Sequence, residues 1–147
     1  MDHENIIKLL KVIRKKQDLY LIFEYWNQNL YELYKLTENE LQENQIKILL
    51  RQLLEGISYI HKEGYVHQDL KPENILVQKN LKLKIGDFGS TIKKNLKGRN
   101  FKEEYLGTIW YRSPEKLLGI QNYDESVDMW SIGSIVRNFL IFFLNLI

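Results

Sequence analysis

The clearest periodic signal in the chain is Ile46, Leu49, Leu50, Leu53, Ile57 and Ile60, apolar positions that share one face of a helix. Thr37 and Glu40 have the spacing of a capping box, but polar residues run on to Glu43, so the helix can begin anywhere between them. Gly64 is a left-handed stop. Ahead of this helix, Lys11–Arg14 and Leu19–Glu24 read as β segments around the polar turn Lys15–Asp18. Residues 25–29 are a connector, and Leu30–Leu36 is a short amphipathic helix. Beyond Gly64, Asn74–Val77 and Leu81–Ile85 give a hairpin signal across Gln78-Lys79-Asn80. Ser90–Lys102 is polar, basic and aperiodic and reads as a loop with a solvated surface. Ser113-Pro114-Glu115 opens a short helix with proline near its first position, and a long apolar helix starts at Asp128. No repeat or linker composition divides the 147 residues, which suit one domain or part of one.

Composition adds mainly exclusions. Lys and Arg number 21 against 19 Asp and Glu, a net charge of +2 that gives no electrostatic case for nucleic acid or an acidic membrane. With no cysteine, disulfides, thiolate metal sites and cysteine nucleophiles are ruled out. The polar start Met1–Asn5 does not resemble a secretory signal. The apolar run Ile135–Ile147 is broken by Arg137, Asn138 and Asn145 and is shorter than the roughly 18 residues of a membrane span, so a helix buried in protein is expected. The default is a soluble intracellular protein, cytoplasmic or nuclear.

The chemistry is concentrated between the long helix and the hairpin. Tyr65-Val66-His67-Gln68-Asp69-Leu70-Lys71-Pro72-Glu73-Asn74 is followed, past the second hairpin strand, by Asp87-Phe88-Gly89. Phosphoryl transfer from a nucleotide needs a carboxylate to orient the attacking hydroxyl and take its proton, oxygen ligands for magnesium, and a cation for the transferred charge. Asp69 suits the first role and Lys71 the last. Asn74 and Asp87 suit the metal, because a hard cation takes amide and carboxylate oxygens. A lone Asp or Asn in a loop is more often a turn former or cap. The joint pattern, in this order and with these elements between, is what carries specificity.

This pattern resembles the eukaryotic protein kinase catalytic domain, with His67-Gln68-Asp69, Asp87-Phe88-Gly89 and Ser113-Pro114-Glu115 as the counterparts of its three signatures. Nearly the whole chain shares the likeness. His3–Ile7 looks like the loop before the fourth strand, Leu21–Trp26 like the fifth strand and hinge, and Asp128–Gly133 like the start of the central helix. The implied fold is α+β and partial: residues 1–26 end the small lobe and form the hinge, and residues 27–147 begin the mainly helical large lobe. Lys71 resembles the Ser/Thr kinases. Thr108–Glu115 resembles the cyclin-dependent and MAP kinase group, and Glu24–Leu33 leans toward its male-germ-cell-associated branch. The likeness implies ATP and Mg²⁺ as cofactors and a protein Ser or Thr, followed by Pro in this group, as substrate. Adenine would bond the Glu24 carbonyl and the Trp26 N–H and carbonyl. Phe23 would gate the pocket, Leu76 would floor it, and Asn29 would reach the ribose; Phe23 and Leu76 also read as simple core residues. Thr108 would bond Asp69 and Lys71.

Departures from the family pattern are specific. No glycine-rich loop, strand lysine or partnering glutamate precedes Phe23, so the roof of a nucleotide pocket is expected to be missing and the isolated chain inactive. Gln68 stands where most members carry an arginine that grips a phosphate, and a neutral amide cannot do so. Glu103-Glu104-Tyr105 stands where the family has Thr-x-Tyr, which leaves Tyr105 as either a regulatory phosphorylation site or an exposed loop aromatic. The apolar C-terminal helix would attract a protein partner. The alternative to a kinase domain is a non-catalytic, pseudokinase-like binding module or the relic of a split gene.

Overall fold

The computed structural model describes residues 1–36, 41–94, 109–120 and 122–143. Strands β1 (Leu9–Lys15) and β2 (Asp18–Phe23) form an antiparallel hairpin in which Val12 faces Leu21 and Ile13 faces Tyr20. Its tight turn uses Lys16 in the left-handed region at φ 56°. The expected β segments fall here, although Glu24 lies just past the end of β2. A lone pair of strands encloses no core, and Leu10, Val12, Leu19 and Leu21 are exposed.

A three-stranded antiparallel sheet follows, in the order β3 (Gln28–Asn29), β5 (Ile75–Val77), β6 (Leu83–Ile85). Both strands of the expected hairpin are shorter than their sequence signal. Asn74 belongs to the 3₁₀ turn Pro72–Asn74, and Leu81 adopts φ 62° in the connector. The N-terminal segment joins β6: Ile85 N–H donates to the Asn5 carbonyl at 2.8 Å and Ile7 N–H to the Ile85 carbonyl at 2.9 Å.

Helix α1 (Leu30–Leu36) matches its expected span. Helix α2 (Glu43–Lys62) begins at the late end of its expected range, where Gln45 Oε1 accepts the Gln42 N–H at 2.8 Å. Thr37 and Glu40 lie outside the described residues. Ile46, Leu49, Leu53, Ile57 and Ile60 are buried as the periodicity requires, and Leu50 is half-buried. Gln52 on α2 completes the edge of β6 much as a backbone strand would. Its Nε2 donates to the Leu81 carbonyl at 2.7 Å and its Oε1 accepts the Leu83 N–H at 3.0 Å.

Close approach explains Gly56. A Cβ there would sit 2.9 Å from Ile85 Cδ1 and 3.0 Å from the Asn5 carbonyl oxygen. Gly56→Ala gains helix propensity of up to about 1 kcal/mol. Overpacking costs about 1–3 kcal/mol and pushes Asn5 off β6. The expected result is a net fall in the urea midpoint, and an unchanged or raised midpoint contradicts this packing.

Gly64 ends α2 at φ 82°, as expected. Beyond it, β4 (Tyr65–Val66) pairs with β7 (Ile92–Lys93). This corrects the reading of Ser90–Lys102 as wholly loop, since Ile92 and Lys93 within it are strand. The pairing is reinforced by Lys94 N–H donating to the Gly64 carbonyl at 2.7 Å. A two-residue ladder has no periodicity to detect, and only tertiary contact selects it. Helix α3 (Pro114–Leu117) starts at the expected proline. Helix α4 (Ser126–Phe143) starts two residues ahead of the expected Asp128, with Asp124 Oδ1 accepting the Ser126 N–H at 2.9 Å.

Val127, Ile132, Ile135 and Phe139 of α4 are buried, and the Phe139 ring meets Tyr34 of α1 edge-on at 5.2 Å. Met129, Trp130 and Leu140 on the same helix are exposed. Among the described residues no helix is long and apolar enough to cross a membrane. The architecture is α+β: a hairpin ahead of a mainly helical body whose small sheets sit on α2.

Candidate active site

The loop 67–71 is held from below by α4. Asp128, fully buried in the first turn of that helix, accepts the backbone N–H of His67 at 2.8 Å and of Gln68 at 2.7 Å. His61 Nε2 of α2 meets the same carboxylate at 2.8 Å. Three polar groups around one buried carboxylate are what such a charge needs to be tolerated in the core. Sequence reasoning placed Asp128 only as the start of a helix and gave His61 no role. The available signal was a lone acid opening an otherwise apolar helix.

His67 itself is buried, with its ring edge-on to Phe88 at 5.2 Å. Nε2 meets the Gly86 carbonyl at 3.0 Å, and Nδ1 accepts the Asp69 N–H at 3.3 Å. These partners require the neutral tautomer with its proton on Nε2. Burial pushes the imidazole below its ordinary 6.5, against the opposing pull of Asp128, the Gly86 carbonyl, Asp69 and Asp87. As pH falls, the unfolded chain therefore takes up this proton first. The contribution to stability is full above the unfolded value near 6.5 and is lost as pH drops below it. In an NMR titration the His67 ring takes up its proton at lower pH than a histidine of the unfolded chain; a ring that charges at or above 6.5 contradicts this assignment.

Past that support, Asp69, Lys71 and Asn74 converge. Lys71 Nζ lies 2.9 Å from Asp69 Oδ2. Asn74 Nδ2 donates to the Asp69 carbonyl at 2.8 Å and to Asp69 Oδ2 at 3.0 Å. Both acceptors demand the amide nitrogen, so the orientation is set and Asn74 Oδ1 is turned away from them. Asp87 arrives from the end of β6. Gly86 N–H donates to the Asn74 carbonyl at 2.9 Å, which fixes the neighbouring Asp87 beside the loop. Asp87 is exposed at φ 55°, and its Oδ1 accepts the Gly89 N–H at 3.2 Å.

Residues 74 and 87 fit a magnesium ion shared with phosphate oxygens. They bring one amide oxygen and one carboxylate, both hard ligands. Among the described residues no group of three or more His, Asp or Glu could hold a metal unaided. A metal here needs further oxygens from its ligand.

The residues expected to line a nucleotide pocket lie along the connector and β5. Leu76 pairs across the sheet with Asn29, and its Cδ1 is 3.4 Å from the point where a Gly86 Cβ would be. Asn29 caps α1, its Oδ1 accepting the Glu32 N–H at 2.9 Å while its own N–H donates to Glu32 Oε2 at 3.0 Å. Among the described residues, no hydrogen bond of the fold engages the Glu24 carbonyl or the Trp26 backbone N–H and carbonyl. The Glu24 side chain is used otherwise. Burial alone would raise its pKa, but the Lys84 ammonium at 2.6 Å and the Lys8 N–H at 2.8 Å outweigh it and hold the carboxyl below its usual range. Phe23 is 42% exposed at the end of β2 and Leu76 is half-buried, so Phe23 is not a core residue. Thr108 and Tyr105 lie outside the described residues.

With this geometry in place, comparison with known proteins is direct. The family model described as "Protein kinase domain" matches residues 1–144. The rat serine/threonine-protein kinase ICK is 42% identical over 136 residues, 92% of this chain and 21% of that protein. Human serine/threonine-protein kinase MAK is 41% identical over 136 residues, 92% of this chain and 22% of that protein. Cyclin-dependent kinase 2 of Caenorhabditis elegans is 42% identical over 138 residues, 92% of this chain and 37% of that protein. A chain in the crystal structure of the yeast RNA Pol II CTD kinase CTDK-1 complex superposes with a TM-score of 0.83 at 36% identity, covering 97% of this chain and 46% of that one. The chain thus spans about a fifth to two fifths of the length of these curated relatives. Taken with the loop, the hairpin and the two acids beside them, these matches show that the chain belongs to the protein kinase domain family.

Proposed function

We propose that this chain supplies the hinge, catalytic loop and metal ligands of a serine/threonine protein kinase that transfers the γ-phosphoryl group of Mg²⁺-ATP to a protein hydroxyl. The observation that carries the reading is the Asp69 carboxylate held at 2.9 Å by Lys71 and at 3.0 Å by Asn74, with Gly86 bonding Asn74 so that Asp87 stands alongside. Asp69 orients the substrate hydroxyl and takes its proton as oxygen bonds to phosphorus and the bridging P–O bond to the leaving diphosphate breaks. Lys71 offsets charge on the transferred group. Asn74 and Asp87 hold the ion, which when bound neutralises the phosphates. The backbone of Glu24 and Trp26 receives adenine, Phe23 and Leu76 bound it, and Asn29 has its Nδ2 for a ribose hydroxyl. For Thr108 the proposed role is to bond Asp69 and Lys71, and for Tyr105 it is that of a regulatory phosphorylation site. A Ser or Thr followed by Pro is the preferred acceptor, because the relatives fall in the cyclin-dependent and MAP kinase group.

The first glycine of the sequence is Gly56, so residues 1–147 by themselves carry no glycine-rich phosphate loop ahead of the hinge, and we infer that efficient transfer needs more polypeptide. The exposed apolar side chains of α4, Met129, Trp130 and Leu140, also suit a non-catalytic binding role with a protein partner. Calorimetric titration with ATP separates the two. For the kinase reading, binding is weak, requires Mg²⁺ and falls about tenfold or more in Asp87→Asn. Binding indifferent to both Mg²⁺ and Asp87, or absent at millimolar ATP, supports the binding module instead.

A further inference from the structure

Gln68 sits between two anchors. It is 8% exposed and its backbone is in the left-handed region at φ 72°, a conformation that a non-glycine residue keeps only when its surroundings enforce it. On one side its N–H donates to Asp128 Oδ1 at 2.7 Å. On the other, Lys116 Nζ from α3 donates to the Gln68 carbonyl at 3.2 Å and to its Oε1 at 3.4 Å. Tyr123 hydroxyl adds a bond to the same Oε1 at 3.2 Å, and the Lys116 ammonium stands 5.7 Å from the Tyr123 ring centre. Two donors on Oε1 fix the amide orientation, which leaves Gln68 Nε2 buried with no hydrogen-bond partner among the described residues. An orphaned buried donor is costly, so the contacts to Oε1 and the carbonyl must outweigh it.

We propose that Lys116 is a positioning residue for Asp69: with Tyr123 it clamps Gln68 and so holds the left-handed turn that presents Asp69, with the clamping cation on α3 and a neutral side chain at residue 68. The clamp is a property of the fold; that Asp69 is presented for phosphoryl transfer rests on the proposed function. Residue 68 is therefore neutral because residue 116 already brings a cation to this spot. Two cations here would repel at short range with little water between them.

The test is a double-mutant cycle in urea on the whole chain without nucleotide, using Gln68→Arg and Lys116→Met. Arginine and glutamine tolerate the left-handed backbone alike, and Met keeps the stem of Lys116; Gln68→Arg replaces the Oε1 acceptor by a cation, and Lys116→Met removes the ammonium that faces it. Gln68→Arg is expected to raise the unfolding constant about tenfold, and Lys116→Met to reduce that effect by about fivefold or more. Additivity within about twofold overturns the proposal. A second readout reports position: hydrogen exchange of the Asp69 amide speeds up about tenfold in Lys116→Met and returns in Lys116→Arg. Exchange unchanged in Lys116→Met, or not rescued by Arg, also overturns it. Should a variant fail to fold, Tyr123→Phe removes one bond to Oε1 and gives a smaller shift of the Asp69 amide resonance; no shift counts against the clamp. Failure of Mg²⁺-ATP to bind would strike at the kinase reading and leave these results standing.

Discussion

Asp69→Asn lowers phosphoryl transfer by the protein that carries this domain by about 10²- to 10⁴-fold, the usual worth of a positioned general base. At about 1.4 kcal/mol per decade, that is roughly 3–6 kcal/mol of barrier. The fold should survive the change. Asparagine keeps one oxygen of the right size, which can face Lys71 Nζ and Asn74 Nδ2 as Asp69 Oδ2 does now at 2.9 and 3.0 Å. What is lost is the negative charge that receives the proton. The loss therefore belongs in kcat, with KM for ATP little changed. Steady-state kinetics on the two proteins decide the matter. A variant within tenfold of the parent in kcat removes Asp69 from its role.

The largest expected effect on stability comes from a residue that touches no substrate. Asp128→Ala removes the acceptor of the His67 and Gln68 N–H groups and of His61 Nε2. Those groups are then left in a site with little access to water. Breaking a buried charged cluster by removing one partner costs about 3–5 kcal/mol. Against a total stability of about 5–15 kcal/mol for a typical domain, this takes the chain close to unfolding. Asp128→Asn, which keeps one acceptor oxygen but turns an amide donor on another donor, falls between. Urea titrations followed by circular dichroism measure both. A midpoint for Asp128→Ala equal to that of the parent contradicts the view that α4 carries the catalytic loop.

How far the sequence announced all this depends on the kind of signal each part sends. Helix α2 was legible because a long amphipathic element repeats its pattern often enough to be unmistakable, and five of its apolar positions are buried. The pairings Gln28–Asn29 with β5 and Tyr65–Val66 with β7 were not, since two-residue ladders are chosen by what packs around them. Asp69, Lys71, Asn74 and Asp87 could be picked out because the chemistry limits the residue types and their order. Asp128 could not be assigned its work, because its three partners come from α2 and from the loop after it. Lys116 was hidden for the same reason: its contact with Gln68 crosses from α3 to the catalytic loop. Local patterns reveal elements and motifs, while the long-range polar contacts that aim them emerge only once the chain is folded.

The central claim is that the Asn74 amide and the Asp87 carboxylate share one ion at the mouth where Asp69 stands. Paramagnetic relaxation with Mn²⁺, which takes the same oxygen ligands as magnesium, reads this directly when an ATP analogue is present. The account predicts that the amides of Asp69, Asn74 and Gly86–Gly89 broaden together, while those of Ile46–Leu50 on α2 do not. Broadening that spares either Asn74 or Asp87, or that is no greater there than on α2, would contradict it.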